Sequence, residues 1–338
     1  MKKNALFFAT ASLSTLMGIW GGCSKKTLKD TAVTLIMAEV NPADTIAGQM
    51  DYAFKQKVEE LSNGTITIDL QCSGILGDEL QVLNLMLNPG STIQMYRASS
   101  LSFAPYNCEK IAALNTPYTF TSKEHFWSFA KTDTAKEILA EPLGKGMAIR
   151  GLFYGEEGFR HFFSRTPLKS VSDFSGLKIR TTNDAVMNAV VEGLGATPVS
   201  VPFTNLYSAL QTGEVDGAEQ PMANYLSNHF PEVAPYMILD GHTLGIMMTL
   251  ITEEAWQSLS PSQQAILRAA GEYASDFCRR LSWEKEMQVR AQLEKEGATI
   301  IDVTDTASWQ TACENVITQE TAQMPALHQA MLNANQGF

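Results

Sequence analysis

The hydrophobic pattern divides the first third of the chain into alternating strands and helices. Three segments have the pattern of buried or half-buried strands, over 31–40, 65–70 and 92–98. Apolar residues at helical spacing separate them, in one helix that ends near Leu61 and another over 80–87. This order predicts a parallel α/β unit, in which ligands bind at the carboxyl ends of the strands.

A second set of elements begins near Gly151. Its pattern predicts four strands, over 152–154, 177–180, 197–201 and 215–219. Two helices are predicted between them, over 183–194 and 203–212. A polar-rich helix follows from Pro261 to about Glu296, and at 1.5 Å per residue it is roughly 50 Å long. We therefore expect two α/β units with one long helix that braces both.

Composition and charge narrow the class of protein. The 338 residues are 45% hydrophobic and 18% charged, enough to build the cores of two domains. The net charge is −11 without any basic run, which argues against nucleic-acid binding. No motif for a nucleophile, a phosphate loop, a dinucleotide or a metal is present, so we expect no enzyme, no cofactor and no metal site. His242 is interpreted as a packed or capping histidine.

Residues 1–22 have the pattern of an export signal. A lysine pair precedes an apolar stretch over 5–20, which is short for a membrane span and ends in small residues. Two glycines directly before Cys23 resemble a bacterial lipobox, although Trp20 replaces the usual leucine. We expect a lipoprotein-type signal peptide, lipidation of Cys23 and an extracytoplasmic, lipid-anchored protein, with ordinary secretion as the alternative.

Four further cysteines remain, at positions 72, 108, 278 and 313. Four cysteines allow three complete pairings, and spacing cannot choose among them. Buried free thiols are the alternative to disulfides.

Two arginines are candidate ligands for a carboxylate. Arg160 follows Gly158-Phe159, and Arg180 closes the predicted strand over 177–180. A rigid guanidinium fork matches a carboxylate better than other side chains do. From the pattern alone, Arg180 could also be an exposed strand end, and Arg160 could form a surface ion pair with Glu156 or Glu157.

The region from Tyr154 to His242 carries a series of motifs in order. They are GFR (158–160), SDFSGLKIR (172–180), LGATPV (194–199), PFTNLY (202–207), ALQTGEVDG (209–217) and EQP (219–221). Weaker matches lie upstream, at 63–64, 74–79 and 117–120. In this combination the chain resembles the DctP-like solute-binding proteins of TRAP transporters (tripartite ATP-independent periplasmic transporters).

The resemblance implies a two-domain, periplasmic-binding-protein-like (class II-like) α/β fold. Its ligand cleft would lie between the domains, with strands crossing between them and the long helix bracing both. We expect domain I over 31–155 and about 246–285, and domain II over about 156–245 and 286–338.

The resemblance also implies roles for residues of the motifs. Arg180 would form a bidentate salt bridge with the ligand carboxylate, and Arg160 would help to hold the acid group. Gln220 takes the place of an asparagine that reaches the ligand in the family, with one more methylene. Glu219 is interpreted as a structural residue that supports Arg180. The partners would be a small carboxylate ligand and the membrane subunits of a transporter powered by an ion gradient.

Five polar residues of the first unit are candidates to select the acid. Glu39 and Asn41 end the first predicted strand, Glu79 starts a helix, and Tyr96 and Arg97 end the third strand. Arg97 is unexpected for the family, and a salt bridge to Glu39 or Glu79 is its alternative role. A carboxylate in the cleft would repel a second ligand carboxylate and accept hydrogen bonds from hydroxyls. This favours a uronate or another sugar acid over a C4-dicarboxylate.

Two other functions are compatible with the same features. A sensory binding protein with this fold would feed a signalling receptor instead of a transporter. An extracytoplasmic enzyme that processes carboxylates is the alternative from another class, without a catalytic motif in its favour.

Overall fold

The computed structural model describes residues 31–182 and 184–334. The predicted signal peptide over 1–22 and the predicted lipidation of Cys23 lie outside the described residues. Within those residues, no helix is both long and apolar enough to cross a membrane.

Nine strands form one mixed sheet in this part of the chain. They are β1 (Val33–Ala38), β2 (Ile66–Gln71), β3 (Met95–Ser99), β4 (Ile149–Ser164), β5 (Lys178–Thr181), β6 (Thr197–Ser200), β7 (Gly217–Pro221), β8 (Tyr236–Thr252) and β9 (Thr299–Asp302). The order across the sheet is β2-β1-β3-β8-β4-β7-β5-β6, and β9 pairs with β8.

Helices cover the sheet and fill the C-terminal part of the described chain. They are α1 (Ile46–Leu61), α2 (Glu79–Met86), α3 (Glu109–Ala113), α4 (Lys123–Phe129), α5 (Asp133–Leu139), α6 (Glu141–Gly144), α7 (Ala185–Gly193), α8 (Leu206–Thr212), α9 (Met222–Ser227), α10 (Glu253–Ser258), α11 (Pro261–Lys295), α12 (Thr306–Ala312), α13 (Glu314–Gln323) and α14 (Pro325–Asn333). Short 3₁₀ helices lie at Ser100–Tyr106, Val171–Phe174, Phe203–Asn205 and Phe230–Glu232.

The first unit has the predicted order of strands and helices. β1 pairs in parallel with both β2 and β3, as the pattern indicated. Thr45 caps α1, its side chain accepting from the Gly48 amide, and Asp78 caps α2 in a capping box. The parallel α/β unit is therefore confirmed, and its strand ends lie at one edge, where a site can form.

Two long antiparallel strands, β4 and β8, run side by side through the middle of the sheet. The strand predicted over 152–154 lies within β4, which extends beyond it on both sides, and the sequence pattern did not lead to a prediction of β8. Both strands are buried on both faces almost throughout, so the polar alternation that indicates a strand is lost. Their register shifts between Glu156 and Phe159, where Gly158 has a φ of 95°, a value that favours glycine.

The predicted strand over 215–219 begins two residues later, at Gly217. Asp216 lies just before the strand and is bonded to the start of β5, since its backbone amide donates to the Lys178 carbonyl and its side chain accepts from the Lys178 amide. The shift brings Gln220 and Pro221 into β7, opposite His161 and Arg160 of β4.

The long helix α11 begins and ends within a residue of its prediction. It packs on α1, β4, α9 and β9, and so contacts both units. Three of its side chains hold the middle of β4: Ser275 donates to the Tyr154 carbonyl, Cys278 to the Glu156 carbonyl and Ser282 to the Glu156 carboxylate. The predicted bracing helix is confirmed.

The four cysteines at 72, 108, 278 and 313 are free thiols. All are buried except Cys72, which is half-buried. The structure therefore supports the thiol alternative, and no disulfide joins the units within the described chain.

Candidate functional site

A polar cavity lies at the carboxyl ends of β1, β3, β5 and β7, between the two units. One part, about 30 Å³, is lined by residues that include Asn41, Glu79, Arg160, Arg180, Gln220 and Asn224. An adjoining part of about 180 Å³ shares Glu79, Ser102, Arg180 and Thr182 with it. Strand ends at a topological switch point are the usual place for a ligand in an α/β fold.

Three larger grooves lie elsewhere, near the C-terminal helices. One has a volume of about 540 Å³ and is lined by Pro117–Thr119 and α12–α14, another, about 610 Å³, lies near Lys169 and Trp309, and a third, about 390 Å³, lies at the start of α14. None of the three is lined by an arginine, so size alone does not select a candidate site for a carboxylate. The smaller cavity contains both arginines predicted from the sequence.

Arg180 brings a buried, incompletely bonded positive charge to this cavity. The side chain is 1% exposed, and its Nε donates to the Val201 carbonyl at 2.8 Å. Nη2 lies 3.6 Å from Oε1 of Glu79, and neither Nη1 nor Nη2 has a hydrogen-bond acceptor among the described residues. Burial lowers the pKa of Arg180, and Glu79 opposes this change. Two outer nitrogens of a guanidinium are thus available to a carboxylate.

Arg160 is held in a buried ion network. It forms a bidentate ion pair with Glu219, with 2.9 Å between Nη2 and Oε1, and its Nη1 reaches Oε1 of Glu157 at 3.4 Å. Burial alone would lower the pKa of Arg160, but the Glu219 carboxylate raises it above its ordinary value. The ion pair of Arg160 with Glu157, given above as an alternative on the surface, is therefore present but buried. Glu219 contacts Arg160 directly, whereas the sequence interpretation assigned it to Arg180.

His242 continues this network toward the core. Its Nδ1 lies 2.6 Å from Oδ2 of Asp240, and its Nε2 lies 3.6 Å from Oε2 of Glu219. Burial alone would lower the pKa of His242, but Asp240 and Glu219 raise it to about 9. Burial alone would raise the pKa of Glu219, but Arg160 and His242 lower it to about 2. The Phe162 ring stacks on the imidazole at 4.5 Å, so His242 is a packed histidine, as expected.

Glu39 and Arg97 form a second buried ion pair. The Arg97 guanidinium donates to both Glu39 oxygens, and Glu39 Oε1 also accepts from the backbone amide and Nδ2 of Asn41, at 2.6 and 2.9 Å. Arg97 was predicted either to contact the ligand or to form a salt bridge with Glu39 or Glu79, and the structure contains the salt bridge with Glu39. Tyr96 is fully buried, and burial raises its pKa well above the usual range.

The placement of Tyr96 and Arg97 at the end of the third strand was wrong. β3 continues to Ser99, so both residues lie inside it and pair with Leu250 and Thr249 of β8. The structure brings Arg180, Arg160, Gln220, Glu79 and Asn41 to one cavity. Glu39, Tyr96 and Arg97 do not line it, and their direct contact with a ligand stays a prediction.

Among the polar lining residues that were not predicted are Ser102, Glu157, Thr182 and Asn224. Asn224 lies in the first turn of α9, three residues after the Pro221 that ends the last motif. Its closeness to that motif is the one feature of the sequence that could have indicated a place at the site. The others reach the cavity through strand pairing and a 3₁₀ helix, which have no local sequence pattern.

Comparisons with known proteins agree with this geometry. The site is a cavity between two α/β units that contains two buried arginines. Residues 37–323 match the model of the bacterial extracellular solute-binding proteins, family 7. The chain therefore belongs to this family, the TRAP-type solute-binding proteins, whose members include periplasmic binding proteins.

Two curated relatives have similar lengths to this chain. A solute-binding protein of Roseobacter denitrificans is 28% identical over 264 residues, 78% of this chain and 79% of the relative. The C4-dicarboxylate-binding periplasmic protein DctP of Rhodobacter capsulatus is 26% identical over 289 residues, 85% of this chain and 84% of the relative.

Solved structures share the two-domain α/β fold. A TRAP periplasmic solute-binding protein of Roseobacter denitrificans with bound L-galactonate has a TM-score of 0.82 at 26% identity, covering 89% of this chain and 99% of that one. One from Pseudomonas putida with bound D-glucuronate has a TM-score of 0.83 at 25% identity, covering 88% and 96%. The fold expected from the sequence is therefore confirmed.

Proposed function

We propose that this protein captures a small organic acid by a bidentate salt bridge between the ligand carboxylate and Arg180. The observation that carries the proposal is the burial of Nη1 and Nη2 without an acceptor in the described chain. Leaving a buried cation incompletely bonded costs free energy, and a carboxylate of matching geometry removes that cost. Gln220 lines the same cavity and adds an amide, while Arg160 is positioned at its wall.

The ligand class we propose is a hydroxylated monocarboxylate, a uronate or another sugar acid. The support is that Glu79 contributes a carboxylate to both parts of the cavity, and that two solved relatives hold L-galactonate and D-glucuronate. A C4-dicarboxylate is the second candidate, favoured by the relative that is named for binding one.

Capture would be completed by closure of two domains about a hinge. The proposed domains are 31–155 with about 246–285, and about 156–245 with 286–338. The register of β4 and β8 shifts beside Glu156 and Ile246, where both proposed boundaries fall. Bending should cost least where the pairing of β4 and β8 is interrupted, and this interruption lies where both strands pass from one proposed domain to the other. Closure would exclude water and strengthen the charge-assisted bonds to the acid.

We further propose that the protein acts outside the cytoplasm, anchored by a lipid on Cys23, and delivers its ligand to TRAP membrane subunits. Membership of the family supports transport over sensing or catalysis. Neighbouring genes for small and large transport subunits would favour transport, and their absence beside a receptor gene would favour sensing.

A thermal-shift screen tests the capture of an organic acid. The panel includes D-galacturonate, D-glucuronate, L-galactonate, succinate and malate, with glucose as an uncharged control. A ligand at about 100 times its Kd stabilises the protein by roughly 2.7 kcal/mol, a shift that a melting curve detects. A shift with an acid and none with glucose is expected. Shifts that do not depend on a carboxylate would contradict the proposal.

A further inference from the structure

We infer that Asn41 and Asn224 are a matched pair of specificity residues, which present their carbonyl oxygens to ligand hydroxyls. Each amide nitrogen is bound by a buried carboxylate, and each carboxylate is bound by a buried arginine. The inference rests on the proposed capture of an acid at Arg180. It assigns the residues that recognise the hydroxyl groups of the ligand, beyond its carboxylate.

Asn41 has its amide orientation set by Glu39. Its Nδ2 donates to Glu39 Oε1 at 2.9 Å, and its backbone amide donates to the same oxygen at 2.6 Å. Its Oδ1 is buried and has no donor in the described part of the chain, although Asn41 lines the cavity. The atom left to meet a ligand is therefore an acceptor.

Asn224 repeats this arrangement from the second unit. Its Nδ2 donates to Glu157 Oε2 at 2.7 Å, and Glu157 is itself buried at the cavity wall. The Oδ1 of Asn224 is likewise buried and lacks a donor among the described residues. Two elements far apart in the sequence thus supply the same chemical group to one cavity.

The arginines behind these carboxylates fix the arrangement. Arg97 holds both oxygens of Glu39, and Arg160 contacts Glu157 at 3.4 Å, so each carboxylate is held in place. Turning either amide over would point its oxygen at a carboxylate oxygen, losing a buried hydrogen bond and adding repulsion. Each asparagine is therefore restricted to presenting an acceptor.

This wall is complementary to hydroxyl groups. A hydroxyl can donate to Oδ1 of either asparagine, whereas a carboxylate at neutral pH has no proton to donate. Sites built to hydrogen-bond a hydroxyl discriminate strongly against ligands that lack it, because buried polar groups are then left without partners. A polyhydroxy monocarboxylate satisfies both asparagines, and a C4-dicarboxylate such as succinate satisfies neither.

Calorimetric titration of D-galacturonate and succinate tests the inference. The variants are Asn41→Ala and Asn224→Ala, and exposed Asn88 provides the matched control Asn88→Ala. The wild type should bind D-galacturonate at least tenfold more tightly than succinate. Each cavity variant should weaken D-galacturonate by about 10- to 100-fold, the range for one lost hydrogen bond in a buried site, and leave succinate within about twofold.

The outcomes distinguish this inference from the proposed function. If the two asparagine variants weaken the binding of both acids equally, or if the wild type prefers succinate, the asparagines do not recognise hydroxyl groups. This conclusion holds even where Arg180→Met abolishes binding and so supports the proposed function. If Arg180→Met retains the binding of both acids, the proposed anchor fails and the inference fails with it. Melting curves without ligand identify any variant that is unfolded, and the wild-type preference is informative by itself.

Discussion

Arg180 and Glu79 face each other at the cavity with 3.6 Å between Nη2 and Oε1, too far for a good hydrogen bond. The pair is thus close enough to balance charge and open enough to leave the guanidinium available. Arg160, by contrast, is bonded bidentately to Glu219. The two arginines therefore differ in how completely their guanidinium groups are bonded.

The first prediction concerns the stability of the unliganded protein. Arg180→Met removes a buried cation whose outer nitrogens lack acceptors in the described chain, and it gives up the Nε bond to Val201 and the 3.6 Å contact with Glu79. These effects oppose each other, so the free energy of unfolding should change by about 1 kcal/mol or less. Urea denaturation without ligand measures it. A loss of more than about 1 kcal/mol would show that Arg180 is a structural residue.

Arg160→Met should instead destabilise the protein. It leaves the buried Glu219 and Glu157 carboxylates without their cation, and breaking a buried pair in this way costs about 3–5 kcal/mol. The same urea denaturation compares the two variants directly. Equal stability of Arg160→Met and Arg180→Met would contradict the division of roles.

The third prediction is a pH dependence that His242 imposes on stability. Its pKa of about 9 lies above the ordinary 6.5, so its contribution is complete below pH 6.5 and is lost as the pH rises through 9. That contribution is at most about 3 kcal/mol. The difference in unfolding free energy between the wild type and His242→Gln should therefore shrink between pH 6.5 and 9. The exposed His229→Gln is the control, and an unchanged difference would refute the prediction.

The fourth prediction concerns Glu156, which lies where β4 bends and accepts from Gly158 N and Ser282 Oγ. Burial raises its pKa to about 7, so its contribution is present below pH 4.5 and lost as the pH rises through 7. Glu156→Gln keeps an acceptor and cannot ionise. Relative to the wild type, this variant should gain up to about 3 kcal/mol between pH 5 and 8. The exposed Glu124→Gln should show no such gain in the same unfolding series.

The sequence allowed the first α/β unit, the long helix and the presence of Arg180 at the candidate site to be predicted, because periodicity and the ordered motifs are local signals. It did not allow β8 to be predicted, since a strand buried on both faces has no alternation. Asn224 was not predicted, and the partner of Arg97 was left undecided between Glu39 and Glu79. Both features depend on which elements lie side by side in the fold. Of the five residues of the first unit that were expected to select the acid, Asn41 and Glu79 line the cavity, whereas Glu39, Tyr96 and Arg97 do not.

The central claim is that Arg180 is the anchor for an organic acid. Its most direct test is a calorimetric titration of the acid with the largest thermal shift into the wild type, Arg180→Met and Arg290→Met, in which a half-buried arginine that does not line the cavity is replaced. We predict loss of at least 100-fold in affinity for Arg180→Met and wild-type affinity for Arg290→Met. Wild-type affinity in Arg180→Met, with the protein folded, would contradict the claim.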